Sequence, residues 1–138
     1  MFEMDSRLQQ DSLVLGDFPL CRLLLSKDAN YPWFILVPKR AGVSELFDLN
    51  QDDQAQFWKE TTYLAEALKR EFKADKMNVA TLGNVVSQMH MHVIVRRHGD
   101  AAWPAPVWGK VPAVEYAPGQ VDAIRLRLRA LLSEYQEA

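Results

Sequence analysis

Apolar and polar positions change period along the chain, from two to 3.6 and back, and these changes divide it into elements. Ser6 to Asp11 can form one helical turn, and Leu13-Val14-Leu15 then reads as a short strand closed by Gly16-Asp17. Leu20-Cys21-Arg22-Leu23-Leu24-Leu25 is a stronger strand, and Trp33-Phe34-Ile35-Leu36-Val37 is another, ended by Pro38. The short turn from Lys27 to Pro32 between them predicts an antiparallel hairpin and not a βαβ unit.

After Lys39-Arg40-Ala41-Gly42 the period becomes helical, with Phe57, Thr61, Leu64, Ala65, Leu68 and Phe72 as the buried stripe. Asn50 can cap this long helix, with Asp53 three positions later, while Lys69, Arg70 and Lys73 sit where the helix dipole favours cations. Met77 to Thr81 returns to a strand, and Leu82-Gly83-Asn84 is a turn or bend. Gly99 to Pro112, rich in Pro, Trp and Gly, reads as an ordered non-regular segment over apolar surface, because its two indoles would be costly to expose. Val121, Ile124, Leu128, Leu131, Leu132 and Tyr135 predict a final amphipathic helix. The expected architecture is α+β: an antiparallel meander of about five strands, one long central helix and a C-terminal helix, in a single domain over residues 1–138.

One stretch departs from this ordinary pattern. From Gln88 to Val93 polar and apolar residues alternate strictly, so Gln88, His90 and His92 are expected on one strand face and Met89, Met91 and Val93 on the other. A solvated face usually carries Lys, Thr, Glu or Ser, and two of the chain's three histidines beside an amide mark a site.

Composition narrows the function classes. A net charge of −2 without basic runs argues against a nucleic-acid coat or a membrane-surface protein, though a small anion needs only local donors. Cys21 is the only cysteine, which leaves no intramolecular disulfide and no zinc ribbon, and on an apolar strand it is expected as a buried small hydrophobe. No apolar run approaches the roughly 20 residues of a membrane span, and the acidic start Met1-Phe2-Glu3-Met4-Asp5 lacks a signal core. The expectation is a cytoplasmic protein with neither a membrane nor a nucleic-acid polymer as partner.

Three readings of His90 and His92 compete. They can be structural. They can hold a metal, since His-x-His on a strand projects both imidazoles to one side, but a catalytic metal needs a further ligand and no acidic residue lies between Lys76 and Arg97. His98, six residues on, is expected at the surface. Or they can serve nucleophilic catalysis: a neutral imidazole attacks phosphorus near neutral pH when one nitrogen carries the proton and the other meets the substrate. A second His then donates to a phosphate oxygen or leaving group, and amides near Gly83-Asn84 hold anionic oxygens without adding charge.

Gln88-Met89-His90-Met91-His92-Val93-Ile94 resembles the signature of the histidine triad (HIT) family, His-φ-His-φ-His-φ-φ with φ apolar, with Gln in the first place. The order of strand, turn, Phe34-Ile35-Leu36-Val37-Pro38-Lys39, long helix, strand and Gly83-Asn84 is similar too. Trp103-Pro104 to Trp108-Gly109 resembles the tail of a bacterial branch. The resemblance covers roughly residues 10–110. It implies a homodimer joining two five-stranded sheets and, without a cofactor or obligatory metal, hydrolysis or transfer at the α-phosphorus of nucleotides. The substrates implied are dinucleoside polyphosphates, diadenosine polyphosphate first among them, or nucleoside phosphoramidates. By position, His90 matches the nucleophile that forms a nucleotidyl-histidine intermediate, His92 the histidine that contacts phosphate oxygens, and Gln88 the residue whose backbone carbonyl keeps the nucleophile's other nitrogen protonated. Gly83 and Asn84 match the phosphate-binding turn, and Asp28 falls nearest the ribose-binding position.

The departures are specific. Gln88 replaces the first histidine, and Trp33 stands where the family has a further histidine. The two family histidines neighbour each other, so their joint loss is expected as one repacked contact. Val85 replaces a hydroxyl residue, which leaves leaving-group protonation to His92. Two alternatives to the enzyme stay open: a nucleotide-binding module with little turnover, and a metal-dependent His-x-His enzyme. Lys39 and Arg40 can draw in phosphate, Trp103 and Trp108 can close over a base, and Leu13, Leu15, Leu24 and Phe34 can include base-pocket walls.

Overall fold

The computed structural model describes residues 1–138. Strands β1 (Ser12–Asp17), β2 (Cys21–Ser26), β3 (Trp33–Pro38), β4 (Lys76–Ala80), β5 (Met91–Arg96) and β6 (Gln136–Glu137) form one sheet. Its order is β4-β5-β3-β2-β1-β6, with each neighbouring pair antiparallel. Helices α1 (Ser6–Asp11), α2 (Gln51–Glu71) and α3 (Gln120–Leu131) complete an α+β fold. The meander holds for β1 to β3. The long α2 then carries the chain past one strand width, and β5 folds back into the gap between β3 and β4.

Helix α2 starts where its cap chemistry says it should: the Asn50 side chain accepts from the Asp53 N–H at 2.8 Å, and Lys69 and Arg70 end it. Its apolar face lies against Leu23, Leu25, Phe34, Leu36, Met91 and Val93 of the sheet in the main core, which α3 extends through Ile124 and Leu128. That face also carries a buried carboxyl group. Glu60 accepts the Leu20 and Cys21 N–H groups at 2.8 Å each, tying the helix to the start of β2. Cys21 is buried, and burial pushes its thiol pKa well up.

Three details differ from the sequence expectation. The ladder of the histidine strand begins at Met91, so Gln88 to His90 approach it as loop, with a bend at Gln88. Helix α3 stops at Leu131, leaving Leu132 and Tyr135 beyond it. Residues 136–137 then add a sixth strand against Gly16 and Asp17. A Cβ on Gly16 would collide with the Gln136 carbonyl and the Tyr135 ring, so this close approach needs glycine. No helix is long and apolar enough to cross a membrane.

The second face of the sheet is covered by smaller pieces. Leu8 of α1 packs with Leu24, Ile35 and Val37, and Phe2, Met4, Trp33 and Val86 border that cluster. Tyr31, Ile94, Ala102 and Val107 form a second cluster, also bordered by Trp33. The Pro/Trp-rich segment lies over apolar surface through Ala102 and Val107, but Trp108 stays 38% exposed, so the expected shielding of both indoles holds only in part. Both histidines sit between the two clusters.

Candidate active site

The alternation read from the sequence survives in the side chains although the ladder starts late. Met89, Met91 and Val93 enter the main core, while His90 and His92 turn to the second face. Ile35 is directly opposite His92, and Trp33 is opposite Ile94. That register makes Trp33 the diagonal neighbour of His92 on the same face, within reach of a long aromatic side chain. Both histidines are 6% exposed, so this face is not a solvated one.

His90 is held by its own loop. Its Nδ1 donates to the carbonyl of Gln88 at 2.7 Å, and its backbone carbonyl accepts from Thr81 Oγ1 at 2.8 Å. A carbonyl only accepts, so Nδ1 carries the proton and Nε2 of the neutral ring keeps the lone pair. His92 is held the other way round. The indole Nε1–H of Trp33 donates to His92 Nδ1 at 2.9 Å, so that nitrogen is bare and the proton of the neutral ring is on Nε2. Burial first, and the neighbouring His90 second, push the His92 pKa down to about 3. The two rings lie 5.0 Å apart at 76°. They have opposite tautomers, a bare Nε2 on His90 and an Nε2–H on His92.

These rings line a cavity of ≈ 480 Å³ that Gly83 and Asn84 also reach. Gly83 has φ +76°, the left-handed region open to glycine, and its turn sets Asn84 at the rim. Apolar walls come from Leu8, Ile35, Leu82, Val86, Trp33 and Trp108. Trp108 packs edge-on to His92 at 4.9 Å and to Trp33 at 5.6 Å. Helix α1 adds Arg7 and Asp11, and β2 adds Ser26. A second cavity of ≈ 410 Å³ adjoins the first across Asp11, Ser26, Trp33 and Trp108.

The structure therefore brings His90, His92, Gly83 and Asn84 to one cavity together with Trp33, which stands at the further-histidine position, and adds Arg7, Asp11 and Ser26, which sequence reasoning did not place there. Separation by 57 to 85 residues of chain, from Ser26 to Gly83 and from Arg7 to His92, made them invisible to a local pattern. Asp28 lines the adjoining cavity and not the first one, with Oδ1 accepting from Asn30 N, Asn30 Nδ2 and Val114 N. Val85 stands at the mouth, 74% exposed, with no hydroxyl to offer.

Other expectations are corrected. The Gln88 amide leaves the site: Oε1 accepts from Asp5 N and Nε2 donates to Glu3 O, both at 2.8 Å. Trp33 goes to His92 instead, so the two replaced positions are two separate contacts and not one repacked contact. Lys39 binds the Phe18 carbonyl and Asp17, and Arg40 pairs with Asp53, so neither lines the cavity. Leu15 and Phe34 belong to the opposite core, and neither Leu13 nor Leu24 lines the cavity. Trp103 meets the exposed His98 edge-on at 4.7 Å, away from the histidine pair. No group of three His, Cys, Asp or Glu side chains is placed to hold a metal ion.

The HIT domain family matches residues 7–99 of the chain. Among solved structures, a histidine triad protein from Bradyrhizobium japonicum is 44% identical, with TM-score 0.93 over 96% of this chain and 98% of its own. One from Marinobacter aquaeolei VT8 is 45% identical, with TM-score 0.93 and 96% of both chains covered. One from Sinorhizobium meliloti 1021 is 41% identical, with TM-score 0.92 over 96% of this chain and 98% of its own. Comparison with curated proteins gives no match.

Proposed function

The chain belongs to the HIT-domain family, and from that premise we propose that it is a nucleotide hydrolase or transferase acting at the α-phosphorus of dinucleoside polyphosphates or nucleoside phosphoramidates. The observation that carries this reading is the 2.7 Å bond from His90 Nδ1 to the Gln88 carbonyl, which leaves Nε2 as the nucleophile. Nε2 attacks phosphorus, the bond to the leaving group breaks, and a nucleotidyl-His90 intermediate forms. Its Nδ1–H then carries the positive charge against the carbonyl of Gln88. Water attacks the same phosphorus and gives up a proton to solvent, the P–N bond breaks with its electron pair returning to Nε2, and a nucleoside monophosphate leaves. Splitting one displacement into two in this way lowers each barrier.

His92 Nε2–H and the Gly83-Asn84 turn hold the anionic oxygens. The nucleoside occupies the apolar walls beside α1, with Asp11, Ser26 or Asp28 receiving the ribose. The bacterial branch with Gln in the first triad position, and a homodimer formed through the open β4 edge, belong to the same proposal. Support for that edge is that β6 pairs with the other margin of the sheet while Val79 of β4 stays exposed.

The test is incubation of native protein and His90→Ala with a dinucleoside polyphosphate and a nucleoside phosphoramidate, with mass spectrometry of acid-labile adducts. A nucleotidyl adduct on the native protein alone supports the reading. Nucleotide binding without turnover replaces it with a binding module. Activity abolished by a chelator and restored by zinc replaces it with a metal-dependent enzyme.

A further inference from the structure

Resting on that reading, we infer that Trp33 is a positioning residue that holds His92 as a neutral Nε2–H donor, and that the site thereby selects leaving groups that depart as anions. The register places the indole and the imidazole on the same sheet face as diagonal neighbours, and the Nε1–Nδ1 distance is 2.9 Å. An indole N–H cannot accept, so a second proton on His92 Nδ1 would set two N–H groups against each other across that contact. Turning the imidazole over would break the bond, and Trp108 packs its edge at 4.9 Å. The charged or titratable side chains of the same cavity are His90 on the approach to β5 and Arg7 and Asp11 on α1, while Ser26, Trp33 and Trp108 bring no charge. Burial and His90 further oppose the charged form of His92.

The consequence is chemical. A neutral imidazole N–H is a weak acid: it stabilises an oxyanion by hydrogen bonding without surrendering its proton. When the bond from phosphorus to a departing phosphate oxygen breaks, that oxygen takes the electron pair and leaves as an anion with no proton required. An amine leaving group must gain a proton as its P–N bond breaks, and here the donor that could supply one is held neutral. Dinucleoside polyphosphates are therefore the favoured class over phosphoramidates of unactivated amines.

Two measurements test this. Long-range 15N–1H correlation spectra on the protein read the His92 tautomer directly. The expected result is an Nε2–H tautomer that does not titrate between pH 5 and 8, and in Trp33→Phe a mixed or titrating imidazole. A protein with β-(3-benzothienyl)alanine at position 33, which keeps the ring shape and lacks the N–H, should behave like Trp33→Phe even if the Phe variant packs poorly. A charged or Nδ1–H His92 in the native protein, or an unchanged tautomer in the benzothienyl protein, overturns the assignment whether or not nucleotides are hydrolysed. In kinetics, the kcat/KM ratio of polyphosphate over phosphoramidate should fall about tenfold in both variants, the worth of one hydrogen bond. An unmoved ratio overturns the leaving-group half, and no turnover of either substrate removes it together with the function proposed above.

Discussion

The side chain of Gln88 and the backbone of Asp5 are hydrogen-bonded across 83 residues of chain, Oε1 accepting from the N–H at 2.8 Å. The same amide donates to the carbonyl of Glu3, so one residue clasps the N-terminal segment at two points. Asp5 caps α1, which carries Arg7, Leu8 and Asp11 into the cavity wall. Meanwhile the Gln88 carbonyl holds His90 Nδ1. One residue thus serves the nucleophile with its backbone and the cavity wall with its side chain.

Gln88→Ala separates these two roles. It removes both side-chain bonds, worth about 1 kcal/mol each, and leaves the carbonyl in place. Urea unfolding should show a loss of about 2 kcal/mol, hydrogen exchange at Asp5 should quicken, and KM should rise with kcat kept within about threefold. A collapse of kcat as deep as in His90→Ala would give the side chain a chemical role that the geometry does not.

His90→Ala removes the proposed attacking nitrogen while His92, Asn84 and the apolar walls stay. Turnover should fall on the order of 10⁴-fold or more, because no other group in the cavity offers an equivalent nucleophile. Calorimetry should show nucleoside monophosphate binding within about tenfold of the native protein. Residual activity near the native level would move the nucleophile elsewhere.

The buried His92 ties stability to pH. Its pKa lies near 3 in the fold against 6.5 in the open chain. Below pH 6.5 the unfolded chain gains a proton that the folded one refuses until about pH 3. Stability from this group is therefore full above pH 6.5 and declines as pH falls toward 3, by about 2 kcal/mol at pH 5. His92→Gln, uncharged throughout, should flatten that decline in urea titrations at pH 7 and pH 5. An unchanged slope would show that His92 does not remain neutral in the fold.

Arg96 is a fully buried hub. It holds Asp100 through two bonds of 2.8 and 3.0 Å, Asn78 Oδ1 at 2.8 Å and the Ala105 carbonyl at 2.9 Å. Burial by itself would raise the Asp100 pKa, but hydrogen bonds from Arg96, Arg97 N and Trp103 N and the guanidinium charge bring it to about 2. Arg96→Met strands that carboxylate and frees the segment that ends at Trp108. A loss of about 3–5 kcal/mol is expected, with a Tm lower by about 10 °C in calorimetry and a changed tryptophan emission. A variant of native Tm would deny Arg96 this role.

The open β4 edge predicts the assembly. Sedimentation of the native protein should give a dimer and Val79→Arg a monomer, because a charge on that exposed apolar position opposes edge pairing. A native monomer would sink the homodimer and leave the chemistry of the cavity to be judged alone.

Much was legible from local pattern. The capped α2, the three apolar strands, the inward Met89-Met91-Val93 row and the outward histidines follow from periods of 3.6 and two, which the backbone imposes within a few residues. The carbonyl at position 88 needed no side chain to be read. Sequence alone thus determined every main element but β6, the face of each main strand and the resemblance to a triad.

Tertiary structure decided the partners. The insertion of β5 between β3 and β4 puts Trp33 beside His92 across 59 residues of sequence. Gln88 turns to Asp5, Lys39 and Arg40 turn to acidic residues outside the cavity, and Trp108 comes from the same chain to cover His92. Strand β6 escaped detection because its two residues carry no period and exist as a strand only through pairing with Gly16 and Asp17. Side-chain hydrogen bonds depend on neighbours brought by strand order, and strand order is settled by burying the whole sheet, which no local run of residues encodes.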